Sequence, residues 1–455
     1  MSRGAAPSRP SPERADAIVV GARVAGSACA TALARAGRRV VVLDRARFPS
    51  DTLSTHLLFA GGVVELDRLG ALPGVLAVGA PPLPRAAMHG AGLAIHARYT
   101  AVGGIDYGLC VRRPGLDAAL VDTARAAGAE VRERARVTGL VWQDPPGRGR
   151  RASARRVAGV RWTGADGRER EVRAPLVVGA DGRRSLVARE VGAERPYRAN
   201  RNERACFYAY LQDPRHEWRA TASQWREGRE LGTAFPCDGG LVMVLLMPPV
   251  ERGPGFRADL DRGWEETVGA LPGLRERLEG CTRVTKVRSA LDTTSYFRRS
   301  SGPGWALPGD SGHFKDPVTA QGIRDGLRFG RLLGEAAAPA LDAPARLDRA
   351  LAAWERRRER ECLETYHWTN TLARASAMTP IEVELYREAA ADPALATAVL
   401  DVFARTRRPA RALPLHQGVR LTARALRHPT ADRRTILHAA TAELASRLRA
   451  APRRA

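Results

Sequence analysis

A short apolar run near the N-terminus leads directly into a glycine turn, and this arrangement restricts the possible folds more than any other feature. Ala17–Gly21 is typical of a buried parallel strand, and the segment from Gly21 to Gly26 precedes a helix pattern of small residues. A second apolar run, Val40–Leu43, ends in Asp44, which lies 23 positions after Gly21. Strand, glycine turn, helix, strand and acid in this order predict a dinucleotide-binding βαβ unit, in which a helix N-terminus faces the pyrophosphate.

Arg23 occupies the position at which such a turn usually has its second glycine. A side chain there carries a Cβ that crowds the phosphates of a bound dinucleotide. The sequence leaves two outcomes open. Either the turn is shifted so that the guanidinium of Arg23 covers the pyrophosphate, or the affinity for the dinucleotide is reduced.

Two later segments repeat the pattern of an apolar strand followed by a turn with a carboxylate. Leu176–Gly179 precedes Asp181, and the run Leu-Pro-Gly precedes Asp310. Upstream of both, Arg113 and Asp117 belong to an Arg-Pro-Gly-Leu-Asp sequence at the start of a helix pattern. Each motif is modest alone, whereas their order and spacing together are specific.

Together these motifs resemble those of the flavin-dependent monooxygenase superfamily of the para-hydroxybenzoate hydroxylase type and its geranylgeranyl-reductase-like relatives. The resemblance covers roughly residues 16–340. It implies an α/β fold with a Rossmann-like FAD-binding domain, an interleaved antiparallel β-sheet substrate domain and a C-terminal helical region. The implied segments are a disordered tail over 1–15, the FAD-binding domain over 16–80, 108–195 and 300–340, the substrate domain over 81–107 and 196–299, and the helical region over 341–455.

The same resemblance implies which residues bind FAD near the first glycine turn. The backbone of the turn would hold the pyrophosphate, and the acid after the second strand would bind the adenosine ribose. These implied cofactor residues are Gly21, Ala22, Ala25, Gly26, Asp44 and its neighbour Arg45.

Further cofactor contacts are implied later in the chain. Arg113 would lie along the pyrophosphate and ribityl chain, Asp310 would bind the ribityl hydroxyls, and Asp181 would brace its turn beside the NAD(P)H access route. Val137, in a strand expected over Glu130–Trp142, would offer its backbone to the adenine. At Pro317, Gly322 and Ile323 a helix N-terminus would stabilise the negative charge of the reduced flavin.

We expect an FAD-dependent oxidoreductase, in first place a monooxygenase that uses O2 and transient NADPH or NADH on a hydrophobic or aromatic small molecule. The chain has no second strand-borne glycine motif for a separate nicotinamide domain. A geranylgeranyl-reductase-like C=C reductase is the first alternative, because Phe235-Pro236 before Gly239-Gly240 resembles that group's substrate-cavity segment. Against it, Ser50–His56 replaces the cysteine motif often found there. A non-catalytic or nucleic-acid-associated flavoprotein is the alternative of another class.

The region from about residue 195 to 298 changes to strand patterns and supplies candidates for substrate contact. The alternation of residues 205–211 places Tyr208 and Tyr210 on one face of a strand. Core packing is an equal alternative for each candidate, and the sequence singles out no catalytic residue. The substrate candidates are His56, Tyr208, Tyr210, Trp225 and Phe235.

The charge balance of the chain is strongly basic, with 73 Lys and Arg against 49 Asp and Glu, a net +24. The arginines are scattered along the chain and aromatic residues make up only 5%. A nucleic-acid site needs a clustered basic surface or a stacking platform. We therefore expect no nucleic-acid partner. Trp218 and Trp225 are seven residues apart and form no Trp-x-Trp pair, which also argues against a halogenase.

Six widely spaced cysteines, without a CxxC motif, predict reduced thiols, no metal site and a cytoplasmic location. No run of about 20 apolar residues is present, so we expect no transmembrane segment. The tail over Ala431–Arg449 has an amphipathic pattern rich in arginine. It either docks on the core of the protein or contacts a membrane surface, and the sequence leaves both open, as it does the oligomeric state.

Overall fold

The computed structural model describes residues 12–144, 155–428 and 432–450. The strands are β1 Glu13–Arg14, β2 Ala17–Val20, β3 Val40–Leu43, β4 Leu57–Leu58, β5 Arg85–Gly90, β6 Leu93–Arg98, β7 Leu109–Cys110, β8 Glu130–Arg132, β9 Arg136–Gln143, β10 Arg156–Thr163, β11 Glu169–Arg173, β12 Leu176–Gly179, β13 Arg198–Asn200, β14 Cys206–Gln212, β15 Thr221–Glu227, β16 Glu230–Pro236, β17 Leu241–Leu246, β18 Thr282–Arg283, β19 Arg288–Ala290, β20 Ser295–Phe297, β21 Ser301–Gly302, β22 Trp305–Ala306 and β23 His313–Phe314. The helices are α1 Val24–Arg35, α2 Ala60–Arg68, α3 Leu72–Leu76, α4 Arg113–Ala126, α5 Leu186–Glu190, α6 Gly253–Ala258, α7 Leu260–Gly269, α8 Pro272–Arg277, α9 Gly322–Ala337, α10 Pro344–Leu372, α11 Pro380–Ala391, α12 Pro393–Ala404, α13 Pro409–Ala412, α14 Leu415–Arg427 and α15 Arg433–Ala450.

The first glycine turn belongs to a six-stranded sheet with the order β21-β22-β12-β2-β3-β8. The strands β12, β2, β3 and β8 are parallel, and every residue of β2, β3 and β12 is buried. Parallel strands are covered on both faces, which is why their sequences are continuous apolar runs. The predicted βαβ unit is confirmed as β2, α1 and β3.

Glycines allow α9 to lie directly against α1. Gly330 and Gly334 are one helical turn apart, and a Cβ on them would lie 2.4 Å and 2.7 Å from the carbonyl oxygens of Ala25 and Cys29. Any larger residue would therefore push the two helices apart. Because residue numbers rise in the same direction along both helices, their N-termini lie at the same end of the contact.

An eight-stranded sheet is formed by two separate segments of the chain. Its order is β18-β14-β17-β16-β15-β5-β6, with β19 beside β14, and all pairs are antiparallel except the pair of β15 and β5. One face packs on α6, α7 and α8, and the other faces the nucleotide-binding half. The expected fold class is confirmed: an α/β Rossmann-like domain with an interleaved antiparallel sheet.

The C-terminal region is helical, as expected, and α11 and α12 pack on the edge of the eight-stranded sheet. Leu395 and Leu400 share a buried cluster with Met88 and Ile95. In α15, Ile436 is fully buried, and this helix packs against α10 and α14. The predicted tail begins outside the described residues, at position 431. Among the helices that the structure describes, none has both the length and the apolar character needed to cross a bilayer.

Two details differ from the predicted elements. The single strand expected over Glu130–Trp142 is split into β8 and β9, which belong to different sheets, because Arg134 has a φ of 53° and turns the chain between them. Part of the expected disordered tail over 1–15 is ordered, since β1 pairs with β11 and Glu13 forms an ion pair of 2.7 Å with Arg132. Residues 1–11 lie outside the described residues.

Candidate functional site

The first glycine turn can be formed only by residues without a side chain at two positions. Gly21 has a φ of +97°, and a Cβ there would lie 2.5 Å from the carbonyl oxygen of Ala180. A Cβ on Gly26 would lie 1.8 Å from the carbonyl oxygen of Gly21. Both glycines therefore hold the N-terminus of α1 close to the ends of β2 and β12.

Asp44 connects the end of β3 to this turn. Its carboxylate accepts hydrogen bonds from the backbone N–H groups of Ala22 and Ala46, both at 2.7 Å. Each carboxylate oxygen keeps a further lone pair, so these bonds leave capacity for a ribose hydroxyl. Ala135 N donates to the backbone oxygen of Asp44 at 2.8 Å, which brings Val137 of β9 into the neighbourhood. Arg45 is exposed at the surface.

The side chain of Arg23 is held on one side of the turn by Asp117, Ser50 and the backbone oxygen of Asp51. It contacts the carboxylate of Asp117 and donates to the side chain and backbone oxygens of Ser50 at 2.9 Å and 3.2 Å. Asp117 is fully buried and also accepts from Arg113 at 2.8 Å. We call this group the Arg23–Asp117–Arg113 triad. Two guanidinium groups around one carboxylate leave a net positive charge beside the turn, which favours a phosphate anion.

The corner after β12 is braced by its own carboxylate. Asp181 accepts hydrogen bonds from Ser185 Oγ at 2.5 Å and from the N–H of Leu186 at 2.7 Å. Ser311 joins this corner to the one after β22, because its Oγ accepts from Gly182 N at 2.9 Å and contacts Asp181 at 3.4 Å. Burial raises the pKa of Asp181.

Asp310 lies on a tight turn that touches the start of α1. A Cβ on Gly309, which has a φ of +61°, would lie 2.8 Å from the Cβ of Ala25. Burial raises the pKa of the Asp310 carboxyl to about 6, although Arg183, Arg113 and Lys315 oppose this rise. Within the described residues the Asp310 carboxylate has no hydrogen-bond donor. The three carboxylate-bearing corners thus converge around the N-terminus of α1.

The segment before α9 is held in a fixed turn. Asp316 accepts from Val318 N at 3.0 Å, and Ala320 adopts a left-handed φ of +49°. Pro317 begins this 3-10 turn, and a Cβ on Gly322, the first residue of α9, would meet nothing within 4 Å. The side chain of Ile323 packs into the apolar core, so only its backbone N–H is available to a cofactor.

A buried ion cluster anchors the first turn of α9 to the C-terminal region. Burial would raise the pKa of Asp325, but Lys315 and Arg405 beside it hold that pKa well below its usual range. Lys315 and Arg324 both contact this carboxylate, and Arg405 also donates to the backbone oxygen of Glu361 at 2.9 Å. His313 and Cys362 lie near Asp325, but the surrounding cations already neutralise the carboxylate that a metal ion would need.

His56, Tyr208 and Tyr210 meet in one buried cluster, together with Phe235. The hydroxyl of Tyr210 lies 2.7 Å from Nε2 of His56. Burial, reinforced by the positive charge of Arg113, lowers the pKa of His56 to about 3. The imidazole is therefore neutral at physiological pH and serves as a hydrogen-bonding group rather than a cation.

Trp225 does not join this cluster, and its role as a substrate contact stays a prediction. Its ring stacks on His89 with centroids 5.1 Å apart and packs with Leu271 and Leu274 on the opposite face of the sheet. Side chains alternate along a strand, and in β15 the side chains of Gln224 and Arg226 lie on the face opposite to that of Trp225. The sequence alone does not tell which face of this strand borders the cavity.

A cavity of about 320 Å³ lies between this face of the sheet and the C-terminal helices. Val318 of the turn before α9 lines it, which places the cavity against the expected flavin edge. Sequence reasoning missed its helical wall, because the apolar residues of α10 to α13 have the same pattern as core residues. The lining residues are Met88, Gln224, Arg226, Leu231, Val318, Glu364, His367, Trp368, Thr371, Leu372, Glu382, Leu385, Tyr386, Val399, Val402, Phe403, Arg408, Pro409, Ala410, Ala412 and Leu413.

A second depression of about 1080 Å³ is wider but is an open trough along α3 and α4. Small residues such as Gly74, Gly115 and Ala119 form much of its floor. An open surface of this kind encloses little of a small ligand, whereas binding sites bury most of theirs. The smaller cavity is therefore the better candidate for substrate binding.

The groove at the three corners fits FAD. Gly21 and Gly26 keep the turn free of side chains, the N-terminus of α1 and the Arg23–Asp117–Arg113 triad supply positive charge, and the Asp310 carboxylate is available to hydroxyl groups. These are the groups that a pyrophosphate and a polyol chain require. The first turn of α9 lies at the same end of the α1–α9 contact as this groove.

Comparisons with known proteins agree with this geometry. Residues 14–368 match the family described as FAD binding domain. The chain is 29% identical to a menaquinone reductase of Mycolicibacterium smegmatis over 71% of this chain and 76% of that protein. It is 27% identical to a digeranylgeranylglycerophospholipid reductase of Methanosarcina mazei over 53% of this chain, spanning only 56% of that enzyme.

A solved structure of a probable FAD-dependent monooxygenase from Pseudomonas aeruginosa superposes with a TM-score of 0.59 at 19% identity, covering 85% of this chain and 99% of that one. At this identity the likeness concerns the fold. The family match extends over more than three quarters of the chain and includes all three corners. The protein belongs to the FAD-binding family of flavoprotein oxidoreductases and is an FAD-dependent oxidoreductase.

Proposed function

We propose that the protein is a monooxygenase that uses NADPH or NADH and O2 to oxygenate a hydrophobic or aromatic small molecule. The observation that carries this proposal is the apolar cavity of about 320 Å³ that reaches Val318 beside the first turn of α9. In the overall reaction, the substrate, O2, NAD(P)H and a proton are converted to oxygenated substrate, water and NAD(P)+. When bound, FAD supplies the hydride acceptance and oxygen activation that no side chain provides.

The residues of the nucleotide-binding half hold and polarise the cofactor in this proposal. The N-terminus of α1 and the Arg23–Asp117–Arg113 triad bind the pyrophosphate, and Asp310 accepts hydrogen bonds from ribityl hydroxyls. The backbone N–H groups of Gly322 and Ile323, the first two residues of α9, stabilise negative charge at the pyrimidine edge.

The cavity walls hold the substrate and exclude water. Most lining groups are apolar, and Trp368 meets Phe403 edge to face with centroids 4.7 Å apart. Water excluded from such a site neither competes for the reacting groups nor weakens their electrostatic interactions. Neutral His56, bonded to Tyr210, contributes orientation in the neighbouring cluster and carries no charge into it.

Oxygen and hydride consumption test the proposal. The purified protein is loaded with FAD, and its visible spectrum is followed during titration with NADPH and then NADH without O2. We expect bleaching of the flavin band by one nicotinamide and O2 uptake on admission of air, with oxygenated product when a substrate is present. A flavin that accepts no hydride from either nicotinamide contradicts the proposal.

Reduction of a C=C bond is the second candidate, and the 29% and 27% identities to two proteins named as reductases favour it. Against it stands Ser50–His56, which contains no cysteine. A reductase turns over without O2, whereas a monooxygenase does not. Product formation in strictly anaerobic reactions would therefore support the reductase and contradict the monooxygenase. Location in the cytoplasm and contact with a membrane surface stay predictions.

A further inference from the structure

The polar groups of the cavity decide which substrates it accepts, and this inference rests on the proposed assignment of the cavity to the substrate. We propose that the cavity binds a neutral, largely apolar molecule with one carbonyl or hydroxyl oxygen, and that it rejects carboxylates.

The charged residues of the lining neutralise one another in pairs. Arg226 donates to Glu382 at 3.0 Å and to the backbone oxygen of Ser376 at 3.1 Å. Glu364 accepts from Arg408 at 2.7 Å and from the N–H of Ala410 at 2.8 Å. Within the described residues, each of the two arginines that line the cavity is therefore paired with a glutamate. Neither guanidinium is left to form an ion pair with an anionic substrate. Moving an unpaired carboxylate from water into such a site is costly.

Three neutral polar side chains remain available inside the cavity. The side chains of Gln224, Trp368 and Tyr386 line it and have no hydrogen-bond partner within the described part of the chain. Burial raises the pKa of Tyr386 to about 12, so its hydroxyl keeps its proton and can donate. An amide, an indole N–H and a phenol can each donate to a neutral carbonyl or hydroxyl oxygen, which can accept from two donors and brings no charge.

The remaining lining limits the size and polarity of the ligand. Leu231, Val318, Leu385 and Phe403 present apolar surface. A volume of about 320 Å³ is near the lower end of small-molecule sites. A compact ring system therefore fits this cavity better than a long chain does.

A matched pair of probes tests the charge preference. The FAD-loaded enzyme is titrated with 1-naphthamide and with 1-naphthoate, which differ mainly in charge, and binding is followed by tryptophan fluorescence and flavin absorbance. The pH is held at about 8.5 to keep histidine protonation out of the comparison. We expect the amide to bind at least about tenfold more tightly. Equal or tighter binding of the carboxylate, or no binding of either probe, overturns the proposal.

A charge-breaking variant links the preference to the cavity itself. Glu382→Gln removes the acid that neutralises Arg226, while glutamine preserves the capping box of Thr379 and residue 382. We expect naphthoate affinity to rise about tenfold relative to naphthamide. Glu388→Gln is the control, because Glu388 is on the same helix and pairs with Arg420 outside the cavity. An unchanged ratio in Glu382→Gln contradicts the proposal.

The proposed hydrogen bond between Gln224 and a neutral ligand is tested separately. Gln224→Leu is expected to weaken naphthamide about fivefold and to leave naphthalene binding unchanged, because only the amide bonds to the side chain. Equal weakening of both probes contradicts a specific contact. These binding measurements need no turnover. A failure of the binding proposal can therefore be distinguished from a failure of the proposed function, which is tested by O2 and hydride consumption.

Discussion

The nucleotide-binding turn and the cavity differ in how they are built. The turn and the two strands that flank it along the chain come from one stretch, Ala17–Asp44, whereas the cavity takes its walls from segments between Met88 and Leu413. In the turn, backbone geometry demands particular residues, such as Gly21 and Gly26. In the cavity, by contrast, a wall position requires only an apolar side chain of suitable size. A backbone constraint can thus be identified in a sequence, whereas an apolar wall cannot be distinguished from core.

The substitution with the largest expected effect disrupts only the first glycine turn. Gly26→Val places side-chain atoms where a Cβ is already 1.8 Å from the carbonyl oxygen of Gly21, so α1 must move away from β2. We expect loss of bound FAD, measured as the ratio of flavin to protein absorbance. Gly269→Ala in α7, where a Cβ meets nothing within 4 Å, is the control and should keep its flavin. Full flavin content in Gly26→Val would contradict the assignment of the turn.

A smaller but large effect is expected at the Arg23–Asp117–Arg113 triad. Asp117→Ala leaves two guanidinium groups without their buried carboxylate, which costs about 3–5 kcal/mol in the free energy of unfolding. Since an anion can replace the carboxylate, bound FAD should restore part of this loss. Urea unfolding with and without FAD measures both quantities. Asp122→Ala, on the exposed side of the same helix, should change the free energy of unfolding by less than about 0.5 kcal/mol.

In the flavin-free protein, the free energy of unfolding is expected to depend on pH through Asp310. Its pKa rises from 3.8 to about 6 on folding, so the folded state binds the proton more tightly. The contribution of Asp310 to the free energy of unfolding should therefore fall by about 2–3 kcal/mol as the pH rises from about 4 to about 6. Asp310→Asn should flatten this slope, raise stability at pH 8 and weaken FAD binding. A slope that is unchanged in Asp310→Asn would assign it to another group.

The smallest expected effect concerns the cavity alone. Trp368→Phe removes an indole N–H and part of an aromatic wall, so naphthamide should bind about five- to tenfold more weakly. The dissociation constant of FAD should not change, because Trp368 lines the cavity and lies outside the glycine turn. Parallel titrations with the two ligands measure this. A matching loss of FAD affinity would show that the two regions are not independent.

Sequence reasoning reached the nucleotide-binding half well because the signals there are local. The βαβ unit and the carboxylate corners at Asp181 and Asp310 follow from residues a few positions apart. It did not decide the location of the Trp225 side chain, because the parity of a strand decides which face a side chain takes. It also missed Gln224 and Tyr386, because nothing in their own neighbourhood distinguishes a cavity residue from a surface or core residue.

By itself, the sequence determined that a dinucleotide-binding unit lies near the N-terminus, because tight turns require glycine and buried parallel strands require continuous apolar runs. FAD as its ligand followed from the resemblance of three motifs to a flavoprotein family. Only the tertiary structure decided where the side chain of Arg23 goes, which face of β15 meets the cavity, and that α10 to α13 close it. Those outcomes depend on contacts between residues far apart in the sequence, and no local pattern of residue types encodes such contacts.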